Sequence, residues 1–470
     1  MALWVLSAAT VQAAATAKGR GDWRLDGVAR FPWSNLLTYL TPDHSVYNST
    51  DEIHSKLRVL MTTCPELTLE PSAEDFRSSA LNETMVLRLT STSQSPTPRE
   101  NVLLAFGIHG REYVASEVAL ALVYKLCDGS ARSANVLERT TFIIFPVMNV
   151  AGRKKMGANL ENGEDHTCAS MRKNGADVDL NRNFDVSWDE GSTVPSAEDY
   201  RGPSPNSEPE TQLLAGVAKR FTPKLFIDVH SGDETMMYPY SYIAQSCPKA
   251  AMQQALADHV GQTAFHCTNG AMNVATEAGK RAASLLDQEQ LVACPKVGNA
   301  AESLDPPYLA SGSTLDYMYE KLNTPFAYTW EVYTGVRYAA GAKSATASTA
   351  ASASATATAT AASSNAAAAS SFSVHQLAAA LESEPAHRAM DAVHWHPKAP
   401  RHVGMRTRSQ QHVLLPGARA SMPVGALRAD MELDDCFAYF NPTNAADLAR
   451  VKEVWSEALI AAAQELAKVH

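Results

Sequence analysis

Apolar runs of strand length alternate with helical patterns over most of the chain, from about residue 31 to residue 338. Four runs have the length and composition of buried or half-buried strands: NVLLAFG (101–107), TTFIIFPVMN (140–149), KLFIDVH (224–230) and PFAYTWEVY (325–333). ASEVALALVYKL (115–126) and PETQLLAGVAKRF (209–221) have helical periodicity. The alternation predicts an α/β fold, a single domain in which helices flank a central, mixed but largely parallel twisted sheet of about eight strands.

This alternation of strand and helix patterns stops after residue 338. Residues 344–371 are almost entirely Ala, Ser and Thr, which bury little apolar surface and predict disorder or fluctuating helix. A short helix is expected around HQLAAALESE (375–384). Residues 398–428 carry six basic side chains and no acidic one, which fits a solvated insertion or a partner-binding patch. From residue 434 the globular texture returns and ends in an amphipathic helix.

Four segments follow from these changes in texture. Residues 1–30 form a candidate signal peptide and N-terminal segment, 31–338 the first part of the domain, 339–430 an insertion, and 431–470 the final helical part. The first 19 residues are apolar with small-residue cleavage options, although a basic start is missing. The stretch between this leader and the domain is too short to fold alone, so we expect no folded pro-domain.

Charge and cysteine usage narrow the function classes. The formal charge of −10 argues against general affinity for nucleic acid, and no run is apolar enough over about 18 residues to predict a transmembrane helix. Two sequons, at Asn48 and Asn82, fit a secreted or extracellular protein, with other compartments still open. The seven cysteines leave at least one unpaired, and Cys247 with Cys267 is one pairing that the sequence allows.

Candidate metal ligands stand where predicted strands end. His109 and Glu112 follow the strand at 101–107, and His230 ends the strand at 224–230. Alone, the first pair fits an ordinary polar turn and His230 a loop histidine. Because ligands gather at the carboxyl ends of parallel strands, the three together predict a His₂Glu zinc site with a fourth position open for water.

A second polar cluster lies in MRKNGADVDLNRNF (171–184). Arg172, Asn181 and Arg182 fall in this short, turn-rich segment. A guanidinium is the natural bidentate partner of a carboxylate, although surface arginines are usually only solvated.

Together these motifs resemble the zinc carboxypeptidases of the carboxypeptidase A type. The matching pieces run in family order over about 230 residues: HGRE (109–112), RK (172–173), VDLNRNF (178–184), YRGPSPNSEPE (200–210), DVHS (228–231), YLASGSTLDY (308–317) and TWEVYTG (329–335). The resemblance implies a carboxypeptidase-like fold that holds one Zn²⁺ per chain through His109, Glu112 and His230. It also implies hydrolysis of the C-terminal peptide bond of peptides or proteins.

The resemblance also assigns the remaining site residues. Glu331 would act as general base and then acid, and Arg172 would stabilise the oxyanion. Asn181, Arg182 and Tyr308 would bind the terminal carboxylate, with Arg111 as an accessory contact in the groove.

The pocket for the released side chain is assigned in the same way. Leu315 would lie at its base, with Ala310 and Thr329 at other positions, so we expect an uncharged, apolar or aromatic terminal residue. The alternative is that loop differences place Glu302 or Asp305 in the pocket.

Two rival functions stay open at this point. A zinc deacylase of the aspartoacylase type shares the His-x-x-Glu site and the DLNR motif (179–182), although YLASGSTLDY and TWEVYTG fit a peptidase better. A catalytically silent binding protein on the same scaffold is the other, although such proteins usually lose a ligand or the base, and neither is lost here. The expected partners are therefore peptide C-termini, with no nucleic acid, and the expected state is a monomer.

Overall fold

The computed structural model describes residues 44–76, 78, 81–95, 98–162, 167–267, 272–273, 294–304, 307–335 and 433–468. All of them belong to one unit, Pro42–His470. The predicted signal segment, the insertion at 339–430 with its basic stretch, the short helix at 375–384, and Asp305 lie outside the described residues.

A mixed sheet forms the centre of this unit. Its strands are β1 Leu67–Leu69, β2 Leu87–Leu89, β3 Glu100–Phe106, β4 Thr140–Phe145, β5 Leu225–His230, β6 Asp233–Tyr238, β7 Met272–Asn273, β8 Lys296–Asn299 and β9 Phe326–Tyr333. The order across the nine described strands is β1-β2-β4-β3-β5-β9-β6-β8-β7. Five of the eight neighbouring pairs are parallel, and three are antiparallel. The prediction of a mixed, largely parallel sheet is confirmed.

Helices of at least eight residues pack around the sheet. They are α1 Thr50–Met61, α2 Tyr113–Leu126, α3 Ala131–Arg139, α4 Val150–Asn162, α5 Pro209–Phe221, α6 Ala250–Ala264, α7 Leu433–Phe440 and α8 Ala445–Leu466. The two predicted helices correspond to α2 and α5, and the predicted final helix to α8. Among the described helices none is long and apolar enough to cross a membrane.

The central strands are continuous apolar runs because both faces of the sheet are covered. Successive side chains of a strand point to opposite faces. Leu104 of β3 accordingly belongs to one core with Val118 of α2 and Trp455 of α8. Leu103 of β3 belongs to a second core with Leu214 of α5. The last helix of the chain therefore shares a core with the strands that carry the candidate site.

Three disulfides are formed, and the pairing of Cys247 with Cys267 that the sequence allows is not among them. The pairs are Cys64–Cys127, Cys168–Cys436 and Cys267–Cys294. Cys247 is buried and unpaired, as the odd count requires. Cys247 precedes α6 and Cys267 follows it. Because a 15-residue helix spans about 22 Å, the two thiols are separated by far more than a disulfide can bridge.

The disulfide of widest sequence separation reaches from α7 back to the first part of the domain. Cys168 and Cys436 are 268 residues apart in the chain, and both are buried. On the other side of the insertion, the Gly335 amide donates to the Tyr439 carbonyl at 2.9 Å. The described chain after the insertion is thus fixed both covalently and to the end of β9.

Candidate active site

Three neighbouring parallel strands bring the candidate chemistry to one edge of the sheet. His109 lies just beyond β3, His230 is the last residue of β5, and Glu331 lies in β9. His230 and Glu331 are register partners in the parallel pair of β5 and β9. Because partner positions in neighbouring strands face the same side, both side chains lie on one face of the sheet.

The turn between β3 and α2 brings Glu112 back to His109. Helix α2 begins immediately after Glu112. The Gly110 amide donates to the Arg172 carbonyl at 3.1 Å, which ties the turn to a neighbouring loop. His109 Nδ1 and Glu112 Oε1 are 2.7 Å apart.

His230 completes a three-residue group that fits a metal ion. One ligand atom each from His109, Glu112 and His230 lies within 4.8 Å of the others, and all three residues are buried. His230 Nδ1 is 3.1 Å from His109 Nδ1 and 3.2 Å from Glu112 Oε2. Tetrahedral ligands at about 2.0–2.1 Å from zinc stand roughly 3.3 Å apart, so the spacing suits this ion.

Two buried carboxylates contact the Nε2 atoms of the two histidines, on the side away from Glu112. Asp179 Oδ1 is 3.3 Å from His109 Nε2, and Asp228 Oδ2 is 3.0 Å from His230 Nε2. A carboxylate at Nε2 favours a proton on that nitrogen, which leaves Nδ1 as a lone pair. Two lone pairs and the Glu112 carboxylate then point at the same place. A cation bound at this point would be coordinated by all three groups.

Charged neighbours keep two carboxyl groups of the cluster ionised. Burial would raise the pKa of Glu112, but His109 and His230 hold it well below its usual range. Burial would likewise raise the pKa of Asp179, but Arg172 and Arg182 lower it well below the ordinary value. Both carboxyl groups therefore stay ionised and favour a bound cation.

Arg172 places a positive charge beside the ligand set. Its Nε donates to Asp179 Oδ2 at 2.7 Å, and its Nη1 lies 3.3 Å from His109 Nδ1. Burial would lower the pKa of this guanidinium, but Asp179 and Glu198 raise it. Arg172 is therefore a fixed cation within a few ångströms of the metal ligands.

Asn181, Arg182 and Tyr308, predicted to act together, do meet in the structure. The Asn181 carboxamide accepts from the Thr314 amide at 2.8 Å, and its Nδ2 lies 3.5 Å from His230 Nε2. Arg182 Nη2 is 3.4 Å from Tyr308 Oη. Arg182 is only 6% exposed whereas Tyr308 is 44% exposed, so the tyrosine covers the guanidinium from the solvent side.

The loop after Tyr308 packs tightly on the Arg182 backbone through Gly312. Gly312 has φ +68°, and a Cβ there would lie 2.2 Å from the Arg182 carbonyl oxygen. Its carbonyl accepts from the Phe184 amide at 3.0 Å, and its amide donates to the Val186 carbonyl at 2.9 Å. Only glycine fits this approach, which fixes the base of the Tyr308 loop against Arg182.

The predicted pocket residues Leu315, Ala310 and Thr329 differ in burial. Leu315 is 1% exposed and Thr329 is buried, while Ala310 is half-buried. Met237, the register partner of Thr329 in β6, adds a buried apolar side chain that sequence reasoning missed. Glu302, one of the two alternative pocket residues, is exposed.

Asp316, next to Leu315, carries a buried carboxyl group that accepts hydrogen bonds from Ser241 and Ser313. It accepts from the Ser241 amide at 3.0 Å, from the Ser241 hydroxyl, and from the Ser313 hydroxyl at 3.2 Å. Burial raises its pKa to about 6, against the lowering effect of the Ser241 hydrogen bonds. These donors, rather than a ligand, saturate the carboxylate.

Arg111 differs from its prediction as a groove residue. Its side chain is 0% exposed. Its Nη1 donates to the Cys168 carbonyl at 2.9 Å, its Nη2 pairs with Glu198, and its guanidinium stacks 4.1 Å above the Phe440 ring. Pattern alone could not predict this, because two of these partners lie 57 and 87 residues away.

Sequence reasoning also passed over the residues that support the ligands. Asp179 lies in VDLNRNF (178–184), two residues before Asn181, and Asp228 lies in DVHS (228–231), two residues before His230. An acidic residue so close to predicted site residues could have been recognised from the sequence. Asn441 and Phe440 follow the insertion, and nothing in their local sequence ties them to the site.

The fold and the site together define a class of protein: an α/β protein with a candidate His₂Glu metal site at the carboxyl edge of its sheet. The family model described as zinc carboxypeptidase matches residues 53–344, more than half of the chain. The protein belongs to the zinc carboxypeptidase family, whose metal is zinc, and His109, Glu112 and His230 fit that ion.

Curated relatives are similar to this chain at moderate identity. Mast cell carboxypeptidase A of Mus musculus is 27% identical over 213 residues, which cover 42% of this chain and 48% of the relative. Carboxypeptidase O of Bos taurus is 25% identical over 318 residues, or 64% of this chain and 73% of the relative. The chain thus spans about half the length of the mast cell relative. The solved carboxypeptidase A from Helicoverpa armigera aligns with a TM-score of 0.49 at 21% identity, covering 61% of this chain and 65% of that one.

The raised pKa of Asp316 predicts a pH-dependent stability that Asp316→Asn removes. The folded protein holds this proton up to about pH 6, whereas the unfolded chain releases it near pH 4. Stability is therefore lost as the pH rises from about 4 to about 6, by about 3 kcal/mol from this group. Denaturant unfolding of the zinc-loaded protein at pH 4 and pH 7 measures the change. An equal change in the free energy of unfolding of the wild type and of Asp316→Asn would contradict the raised pKa of Asp316.

Proposed function

We propose that the protein is a zinc-dependent metallocarboxypeptidase that hydrolyses the C-terminal peptide bond of peptides or proteins. One observation carries the proposal: the His109, Glu112 and His230 set and the Asn181, Arg182 and Tyr308 cluster meet at one sheet edge, where Asn181 Nδ2 comes within 3.5 Å of His230. The first set serves hydrolysis, and the second serves recognition of a chain end.

Glu331 is the proposed general base and acid. Zinc, when bound, lowers the pKa of a coordinated water and polarises the scissile carbonyl. Glu331 faces the same side of the sheet as His230, so its carboxylate is placed to take a proton from the attacking water. The same carboxylate then returns the proton to the leaving nitrogen, and the two halves of the peptide separate.

Arg172 is the proposed oxyanion partner. Negative charge develops on the carbonyl oxygen as water attacks. The Arg172 guanidinium is held by Asp179 next to the ligands and does not have to reorganise to meet that charge. Removal of one such preorganised contact typically costs about 3–4 kcal/mol of transition-state stabilisation.

Selection of chain ends is proposed to rest on Asn181, Arg182 and Tyr308. A terminal carboxylate can pair with the buried Arg182 guanidinium, which gains strength from its low-dielectric surroundings. An internal peptide bond offers no such anion, and binding would leave the guanidinium without an anionic partner. Tyr308, on the solvent side, is placed to close over the bound end.

We further propose that the released residue is uncharged and apolar or aromatic. Leu315 and Met237 present apolar side chains, and Thr329 and Ala310 add small ones. Asp316 could attract a basic side chain, but Ser241 and Ser313 already satisfy its carboxylate and its side chain is buried. A lysine or arginine terminus would then lack a counter-charge among the described pocket residues.

A secreted location is proposed, and a disulfide and glycan map tests it. Three disulfides are typical of oxidising compartments. The side chain of Asn82 is exposed, whereas the Asn48 amide donates to both oxygens of the buried Glu117 at 2.9 Å. Mass spectrometry of protein from a secreting eukaryotic host is expected to show the three disulfides and a glycan on Asn82, with Asn48 bare. Reduced cysteines would contradict the proposed location, and a glycan on Asn48 alone would contradict the expected choice between the two sequons.

Glu331→Gln is expected to lower kcat for a blocked dipeptide by 10²–10⁴-fold, because the amide cannot accept the water's proton. Zinc content by metal analysis is expected to stay at one per chain, since Glu331 is not a ligand. The exposed Glu138→Gln is the matched control and keeps full turnover. Wild-type cleavage of N-acyl amino acids but not of dipeptides would favour a deacylase, and no turnover of either would favour a binding protein.

Leu315→Asp is expected to reduce release of C-terminal Phe and Leu by at least about tenfold and to shift the preference towards Lys and Arg. The physical reason is the new buried carboxylate, which repels apolar side chains and attracts cationic ones. Leu315→Val keeps an apolar base and controls for the loss of volume. A C-terminal peptide library, with and without chelator, gives the profile. Release of Lys or Arg by the wild type would refute the apolar pocket directly.

A further inference from the structure

The backbone around Glu112 has polar groups that the zinc turn itself does not satisfy. Glu112 is the N-cap of α2 and makes no side-chain cap hydrogen bond. The first amides of a helix lack partners within the helix. The Val114 amide, two residues beyond Glu112, finds its acceptor in the side chain of Asn441, at 2.9 Å and 327 residues away in the chain.

The same Asn441 side chain also holds the residue before Glu112. Its Nδ2 donates to the Arg111 carbonyl at 2.8 Å and to the Phe437 carbonyl at 3.0 Å. The two carbonyls require a donor and the Val114 amide requires an acceptor, so only one orientation of the amide group fits. Asn441 is 0% exposed and bridges the chain on both sides of Glu112.

Neighbouring contacts hold Asn441 itself in place. Phe440 stacks on the Arg111 guanidinium, and a Cβ on Gly232 would come within 2.9 Å of its ring. Cys436, one turn earlier in α7, is disulfide-bonded to Cys168, whose carbonyl accepts from Arg111. Asn441 is therefore an anchored support rather than a passing contact.

We infer that Asn441 is a positioning residue for the metal centre, acting through the backbone of the Glu112 turn without touching metal or substrate. The inference rests on the proposed zinc site. Without this amide, two carbonyls and one helix amide lose their buried partner, and the turn can rotate Glu112 away from His109 and His230. Loss of a residue that orients a ligand typically weakens metal binding by about 10–100-fold.

The test measures zinc affinity by competition with a chromophoric chelator, together with the visible spectrum of the cobalt-substituted protein. Asn441→Ala is expected to bind zinc about 10–100-fold more weakly and to change the cobalt band positions, because the ligand geometry changes. Asn444→Ala is the matched control. It removes the Asn444 cap on the Asp447 amide of α8, three residues further on, and so lowers stability without touching the zinc turn.

Asn441→Asp covers the case in which the alanine variant fails to fold. It keeps the acceptor for the Val114 amide but loses the donor to the Arg111 carbonyl, so we expect a folded protein with weakened zinc binding. Wild-type affinity and an unchanged cobalt spectrum in a folded Asn441 variant would overturn the inference, as would an equal loss in Asn444→Ala. Tight zinc binding by a wild type that releases no C-terminal residue would refute the proposed function alone.

Discussion

The structure depends on the convergence of His109, Glu112 and His230 on one buried point, where the desolvation of polar and charged side chains costs free energy. His109 and His230 present Nδ1 atoms 3.1 Å apart, and both face the carboxylate of Glu112. A cost of this kind persists only where the surrounding fold over-determines it. Here the parallel register of β3, β5 and β9 fixes where each residue leaves the sheet, and Asp179 and Asp228 fix which nitrogen faces inward.

Three arginines near this centre have different surroundings. Arg172 and Arg182 both lower the pKa of Asp179, yet each faces a different part of the site. Arg172 lies beside a zinc ligand, whereas Arg182 lies beneath Tyr308. Arg111, the third arginine, is buried and contacts Glu198, the Cys168 carbonyl and the Phe440 ring. Arginine therefore has a structural role at position 111, while Arg172 is proposed as the oxyanion partner and Arg182 as the substrate anchor, according to their neighbours.

Local pattern in the sequence was enough for much of the fold and for the residues that meet at the site. The central strands were predictable because a sheet covered on both faces leaves continuous apolar runs, as in β4. His109, Glu112 and His230 were predictable because they follow such runs directly. Cysteine pairing was not predictable, since it depends on which distant segments of the chain meet in the fold. The burial of Arg111 and the role of Asn441 depend on contacts across 57 to 330 residues, which no local pattern encodes.

The place of Asn441 in the chain has a consequence for biosynthesis. Synthesis proceeds from the N-terminus, so the three proposed metal ligands and the proposed base, Glu331, leave the ribosome before residues 436–441. A nascent or truncated chain that stops before α7 already contains the proposed ligands and base. It lacks the Asn441 side chain that bridges residues 111 and 114, and the thiol that pairs with Cys168. If Asn441 positions the Glu112 turn as proposed, the zinc site takes its final geometry only after residues 436–441 have been synthesised and Cys168 has paired with Cys436.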